Sequence, residues 1–203
     1  MKIKNKAATF FAILIFFLMG LILYWNIVRD ATVIVQAGHE GRMHGNTGAV
    51  TKYESEVEWN IIVADEVARL LKSWEIDVKR IPAKVSLMRA KIAVSIHFDA
   101  AKRFCDTGAS IGYPNQHSYA FAQAWKRAYK SYFPFRWHKD NFTHNLKYYY
   151  AYPWIRADKF LLLELGEITC AQQRKWLKPK LKDIASLIAY TIAKELGVKV
   201  EKP

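Results

Sequence analysis

Residues 7–25 form an unbroken apolar run with no charged side chain, and Lys2, Lys4 and Lys6 precede it. Beyond it, apolar positions come in short bursts. Residues 32–38 are a β-branched stretch stopped by glycine and predict a buried strand. A polar loop covers 39–53. Within 54–74, Val57, Ile61, Ala64, Val67, Ala68 and Leu71 recur at helical spacing and predict an amphipathic helix. Residues 76–81 predict a second strand, 85–90 a short helix, 92–96 a third buried strand and 109–113 a fourth. Residues 118–132 predict a helix, 160–165 a strongly apolar strand, and 184–196 a closing helix ended by Gly197. The aromatic stretch 133–155 has no clean period and predicts loops with at most one strand.

Strands alternating with helices predict an α/β fold: a single three-layer domain with a mostly parallel twisted sheet flanked by helices. A chain of 203 residues has room for one such domain plus a short appendage. The opening apolar run is about the length a helix needs to cross a bilayer, so one N-terminal transmembrane helix is expected to precede the domain. Lysines ahead of the run, with Tyr24 and Trp25 at its far end, fit a positive-inside start and an aromatic interfacial belt. The expected organisation is a membrane anchor or uncleaved signal at 1–30 and a catalytic domain at 31–203. That puts the domain on the outer side of the inner (cytoplasmic) membrane as a single-pass protein. Secretion after signal cleavage is the alternative, disfavoured because no small-x-small triplet follows the run.

The formal charge of +13 favours an anionic partner: nucleic acid, a lipid headgroup surface or a carboxylate-rich wall polymer. Expected export of the domain argues against nucleic acid. Cys105 and Cys170 have no metal-type spacing, and both a bridge and two independent thiols are compatible with their positions.

In α/β sheets functional side chains gather at the carboxyl ends of strands. His39 follows the first strand, His97 the third, Glu164 lies near the end of the late apolar strand, and Glu56 opens the first long helix. Two imidazoles and a carboxylate form a frequent catalytic zinc set that leaves room for a water, and a further carboxylate beside it suits proton transfer. Each residue also has a plainer reading. A histidine after a strand is often a hydrogen-bonded loop residue, and Glu in a helix's first turn complements the helix dipole. Glu164 is harder to dismiss, because a carboxylate among Leu161, Leu162, Leu163 and Leu165 costs several kcal/mol without compensation.

Four segments in order resemble the zinc-dependent N-acetylmuramoyl-L-alanine amidases. They are Gln36-Ala-Gly-His-Glu-Gly41, Glu56-Val-Glu-Trp-Asn-Ile61, Ser95-Ile-His-Phe-Asp-Ala100 and Glu164-Leu-Gly-Glu167. The resemblance covers residues 33–196 and implies that His39, Glu56 and His97 hold Zn2+, with Glu164 the catalytic carboxylate. It implies hydrolysis of the amide between N-acetylmuramic acid and L-alanine in peptidoglycan. Gln36, Glu40 and Glu167 depart from the family pattern of Asp, Gly and Phe, and Lys79-Arg80 only approximates its Thr-Arg pair. Glu54 and Glu58 flank Glu56 on other helix faces. A zinc peptidase acting on another extracytoplasmic amide and a non-catalytic wall-binding module are the rival readings. His44, His117, His138 and His144 read as loop or surface groups, and Lys126, Arg127 and Lys130 as a solvated helix face. Residues 148–152 with Trp154 suit sugar stacking, a core strand or a membrane-facing patch alike. The sequence identifies no activator protein.

Overall fold

The computed structural model describes the backbone of residues 2–27, 29–103 and 105–201, and the side chains of 8–21, 29–103 and 105–201. In chain order the elements are α1 (Lys2–Ile27), β1 (Val33–Ala37), α2 (Glu56–Ser73), β2 (Val78–Ile81), β3 (Met88–Asp99), β4 (Ala109–Gly112), α3 (Tyr119–Lys130), α4 (His144–Lys147), β5 (Ile155–Glu167), α5 (Ala171–Leu177) and α6 (Leu181–Glu195). The strands form one sheet in the order β2-β1-β3-β5-β4. Every pairing is parallel except β4 on β5, so the sheet is mixed with one antiparallel edge.

Alternation along the central strands feeds two cores. Val33 and Val35, Val94 and Ile96, and Leu161 and Leu163 face one side, where Trp59, Val63, Val67 and Leu71 of α2 and Ile184, Ile188 and Ile192 of α6 cover them. Ile34, Ala93, Phe160 and Leu162 face the other side, covered by Leu146, Tyr149 and Ala151. The three expected layers are present, but the second face is roofed by α4 and the aromatic segment around it, not by long helices. That segment holds no strand, only an isolated bridge between Ala109 and Trp137.

The short helix expected over 85–90 is absent, because β3 already begins at Met88. Its amide donates to the Trp154 carbonyl, and Met88 pairs in register with Ile155. Cross-strand pairing outweighs the weak propensity of a six-residue stretch.

The N-terminal expectation is met in part. α1 forms, and its described side chains, such as Phe10, Phe16 and Phe17, are exposed. Among the described residues, however, no helix is long and apolar enough to cross a membrane. The side chains of Lys2, Lys4, Lys6, Tyr24 and Trp25 lie outside the described residues. Cys105 and Cys170 are joined in a disulfide, which closes the question their spacing left open.

Candidate metal centre

The parallel register brings the candidate residues to one end of the sheet. His97 pairs directly with Glu164 across β3 and β5, and β1 ends two residues before His39. Glu56, the first residue of α2, points its carboxylate back at both imidazoles. His39 Nε2 lies 3.1 Å from Glu56 Oε1, His97 Nδ1 lies 3.2 Å from the same oxygen, and the two nitrogens are 3.2 Å apart. All three residues are buried.

Hydrogen bonds to the far nitrogens fix which lone pairs face inward. His39 Nδ1 lies 2.8 Å from the Asn46 carbonyl, which can only accept, so the proton sits there and Nε2 presents its lone pair. Tyr149 donates its hydroxyl proton to Gln36 Oε1 at 3.0 Å, so it accepts from His97 Nε2 at 2.9 Å, leaving Nδ1 as the inward lone pair. Two imidazole lone pairs and a carboxylate oxygen then face one another, a repulsive set unless a cation joins them. A tetrahedral zinc with bonds of about 2.0–2.1 Å holds its ligand atoms about 3.3 Å apart, close to the observed triangle. The donor set therefore fits the ion.

Without a cation, a proton can take its place between these groups. Burial pushes the Glu56 carboxyl up, but an imidazole protonated on its inward nitrogen would donate to it and hold the group well below the usual carboxylate range. Burial lowers His39, yet the Glu56 hydrogen bond and charge leave it above its ordinary value; for His97 desolvation wins and the pKa falls. The second Glu56 oxygen accepts from the Ala49 amide at 2.8 Å.

Two glycines make this packing possible. A Cβ on Gly38 would sit 2.2 Å from the His97 ring. Gly48 has φ +84° and lies against both Glu56 and His39. His39 itself adopts φ 64°, an uncommon left-handed backbone for a non-glycine residue.

Glu164 lines the same cleft, of about 600 Å³, as the three ligating candidates. Its Oε2 is buried with no hydrogen-bond partner. Desolvation first, then the Asp99 and Glu56 charges, drive its pKa well above the carboxylate range.

The alternatives to Glu56 are occupied elsewhere: Glu54 pairs with Arg174 and Lys178, and Glu58 is exposed. Each departure from the expected motifs has a partner. Gln36 is buried beside Ser95 and Tyr149, and its amide donates to the Pro82 carbonyl and the Tyr150 hydroxyl. Glu40 pairs with Arg80. Glu167 is fully buried and accepts from the Cys105 and Thr107 amides and the Thr169 hydroxyl, clamping the loop that the disulfide also ties. His44, His117 and His144 are exposed, whereas His138 bonds the Thr107 hydroxyl at 3.0 Å and stacks on Phe142. Lys126 is not simply solvated but pairs with Asp140 at 2.6 Å. Tyr149, Asn46 and Arg42 escaped the motif reading. An aromatic tract was the only signal for Tyr149, and nothing in spacing marked the other two.

A family model described as N-acetylmuramoyl-L-alanine amidase matches residues 33–194. A comparison with curated proteins found no match. Among solved structures, the catalytic domain of CwlV, an N-acetylmuramoyl-L-alanine amidase from Bacillus (Paenibacillus) polymyxa var. colistinus, superposes with TM-score 0.63. It is 20% identical, over 82% of this chain and 98% of that one. An N-acetylmuramoyl-L-alanine amidase from Clostridium difficile 630 gives TM-score 0.63 at 23% identity, over 85% and 100%. The CwlD amidase of Clostridioides difficile, solved with the GerS lipoprotein, gives 0.57 at 22%, over 84% and 100%. At these identities the superpositions establish the fold.

Proposed function

The chain belongs to the N-acetylmuramoyl-L-alanine amidase family, and we propose that it cuts the amide between N-acetylmuramic acid and L-alanine using zinc held by His39, Glu56 and His97. Glu164 is the general base and acid. The observation that carries this reading is the triangle of His39 Nε2, Glu56 Oε1 and His97 Nδ1, with Glu164 paired to His97 on the adjacent strand.

Bound zinc supplies a Lewis acid and a water whose pKa falls to about 7. Glu56, whose carboxyl is held below the usual range, supplies the anionic oxygen of the donor set. Tyr149 and Gln36 hold His97 in the tautomer that directs Nδ1 inward. Glu164 takes a proton from the attacking water and delivers it to the departing L-alanine nitrogen. Burial favours its protonated form in the metal-free chain, and the charge of a bound cation would favour the carboxylate that accepts the first proton. Exposed Tyr148 on the cleft wall offers a flat face to a sugar ring. The Cys105–Cys170 disulfide supports a working compartment outside the cytoplasm, where the wall substrate lies.

The test is metal analysis of the purified chain with digestion of sacculi. Stoichiometric zinc and stem peptides with free L-alanine amino termini are expected. Glu164→Gln should keep zinc and lose cleavage, while His39→Ala or His97→Ala should lose the metal. Intact sacculi after treatment with zinc-loaded wild type would refute the reading, and cuts elsewhere in the stem would point to a peptidase.

A further inference from the structure

Arg42, like the exposed Arg103, Arg127 and Arg156, pairs with no carboxylate among the described residues, but Arg42 alone of these four lines the cleft. Arg29, Arg69, Arg80, Arg136 and Arg174 each pair with a carboxylate. Arg42 lines the same cleft as His39, Glu56, His97 and Glu164. Its positive charge is felt at both imidazoles, opposing their protonation.

The side chain is nonetheless held. Its guanidinium carbon lies 4.6 Å from the centroid of the Tyr150 ring, and Nη1 donates to the Asn46 carbonyl at 3.4 Å. Tyr150 is itself fixed, donating its hydroxyl to the Ala83 carbonyl while accepting from Gln36 Nε2 at 3.1 Å. A guanidinium has five N–H donors, and this one engages a single long bond within the protein. A planar, stacked, unneutralised guanidinium beside a reaction centre is built to receive a carboxylate through two parallel bonds. The amine side of the scissile bond offers such a group: the stem residue after L-alanine carries a free α-carboxylate in some walls and a carboxamide in others.

We propose that Arg42, seated on Tyr150, reads the α-carboxylate of the second stem residue and makes the enzyme selective for stems in which that group is not amidated. This rests on the amidase reading for the identity of the ligand, while the arginine's placement is independent of catalysis.

The experiment titrates two synthetic L-alanyl-γ-D-glutamyl-L-lysine peptides into the zinc-loaded full chain, one with the glutamate α-carboxylate free and one with it as carboxamide. The free acid should bind about tenfold more tightly. Arg42→Gln should erase that preference, and Arg42→Lys should keep part of it, since lysine retains charge without the planar fork. Equal affinity of wild type for the two peptides, including no binding of either, overturns the proposal without recourse to a variant. So does a preference that survives Arg42→Gln. A chain that discriminates the peptides but leaves sacculi uncut would sink the amidase reading alone. One that cuts sacculi without discriminating would sink this inference alone.

Discussion

His97 Nε2 and the Tyr149 hydroxyl lie 2.9 Å apart although 52 positions separate the residues in sequence. Tyr149 is buried, and burial holds its phenol well above the ordinary value of 10.0, so it remains a donor to Gln36 at any working pH. The pair orients one imidazole through a neutral chain rather than through a carboxylate.

Tyr149→Phe removes that acceptor while keeping the ring. Zinc affinity should fall about 10–100-fold, the usual cost of losing an outer partner of a metal-bound histidine. Chelator competition reads this directly, with circular dichroism to confirm an unchanged fold. Unaltered affinity would show that packing alone orients His97.

Glu164 should burden the metal-free chain at neutral pH. Its folded-state pKa is raised, so the protonated form is favoured in the fold. Below the ordinary value of 4.5 the group is protonated in both states and its stabilising contribution is fully present; that contribution is lost as pH rises through 4.5 toward the folded value. Glu164→Gln keeps the neutral shape at every pH. In chelator, thermal melts should therefore coincide near pH 4 and separate by pH 7.5, with the variant the more stable. A gap that shrinks with rising pH would contradict the raised pKa.

Gly38→Ala should disrupt the centre more than its size suggests. The added methyl would lie 2.2 Å from His97 Cε1, and the ring is hemmed in by His39 and Tyr149. Loss of stoichiometric zinc in an otherwise folded chain is expected by metal analysis.

Breaking the Cys105–Cys170 link with a Cys105→Ser/Cys170→Ser double variant should cost about 2–4 kcal/mol in urea denaturation. The bridge closes a separation of 65 residues, so the unfolded chain gains freedom when it is cut. Glu167 still clamps the same loop through two amides, so the fold should survive. An unchanged midpoint would show that the clamp alone suffices.

Sequence by itself determined much of this protein. The apolar runs at β1, β3 and β5 were legible because strands buried on both faces carry hydrophobic residues throughout, and the helix over 54–74 because one face must be apolar. Spacing and motif order put His39, Glu56, His97 and Glu164 at strand or helix ends. Tertiary structure decided what local pattern cannot encode. Glu56 was separated from Glu54 and Glu58 by where Arg174 lies, and the aromatic segment became the roof of a sheet face because Ile34, Ala93 and Phe160 needed cover. Tyr149 and Arg42 gained their places the same way. A periodicity records which face of an element is buried, whereas a hydrogen bond or stacked cation between distant residues depends on register and packing, which form only when the whole chain closes on itself.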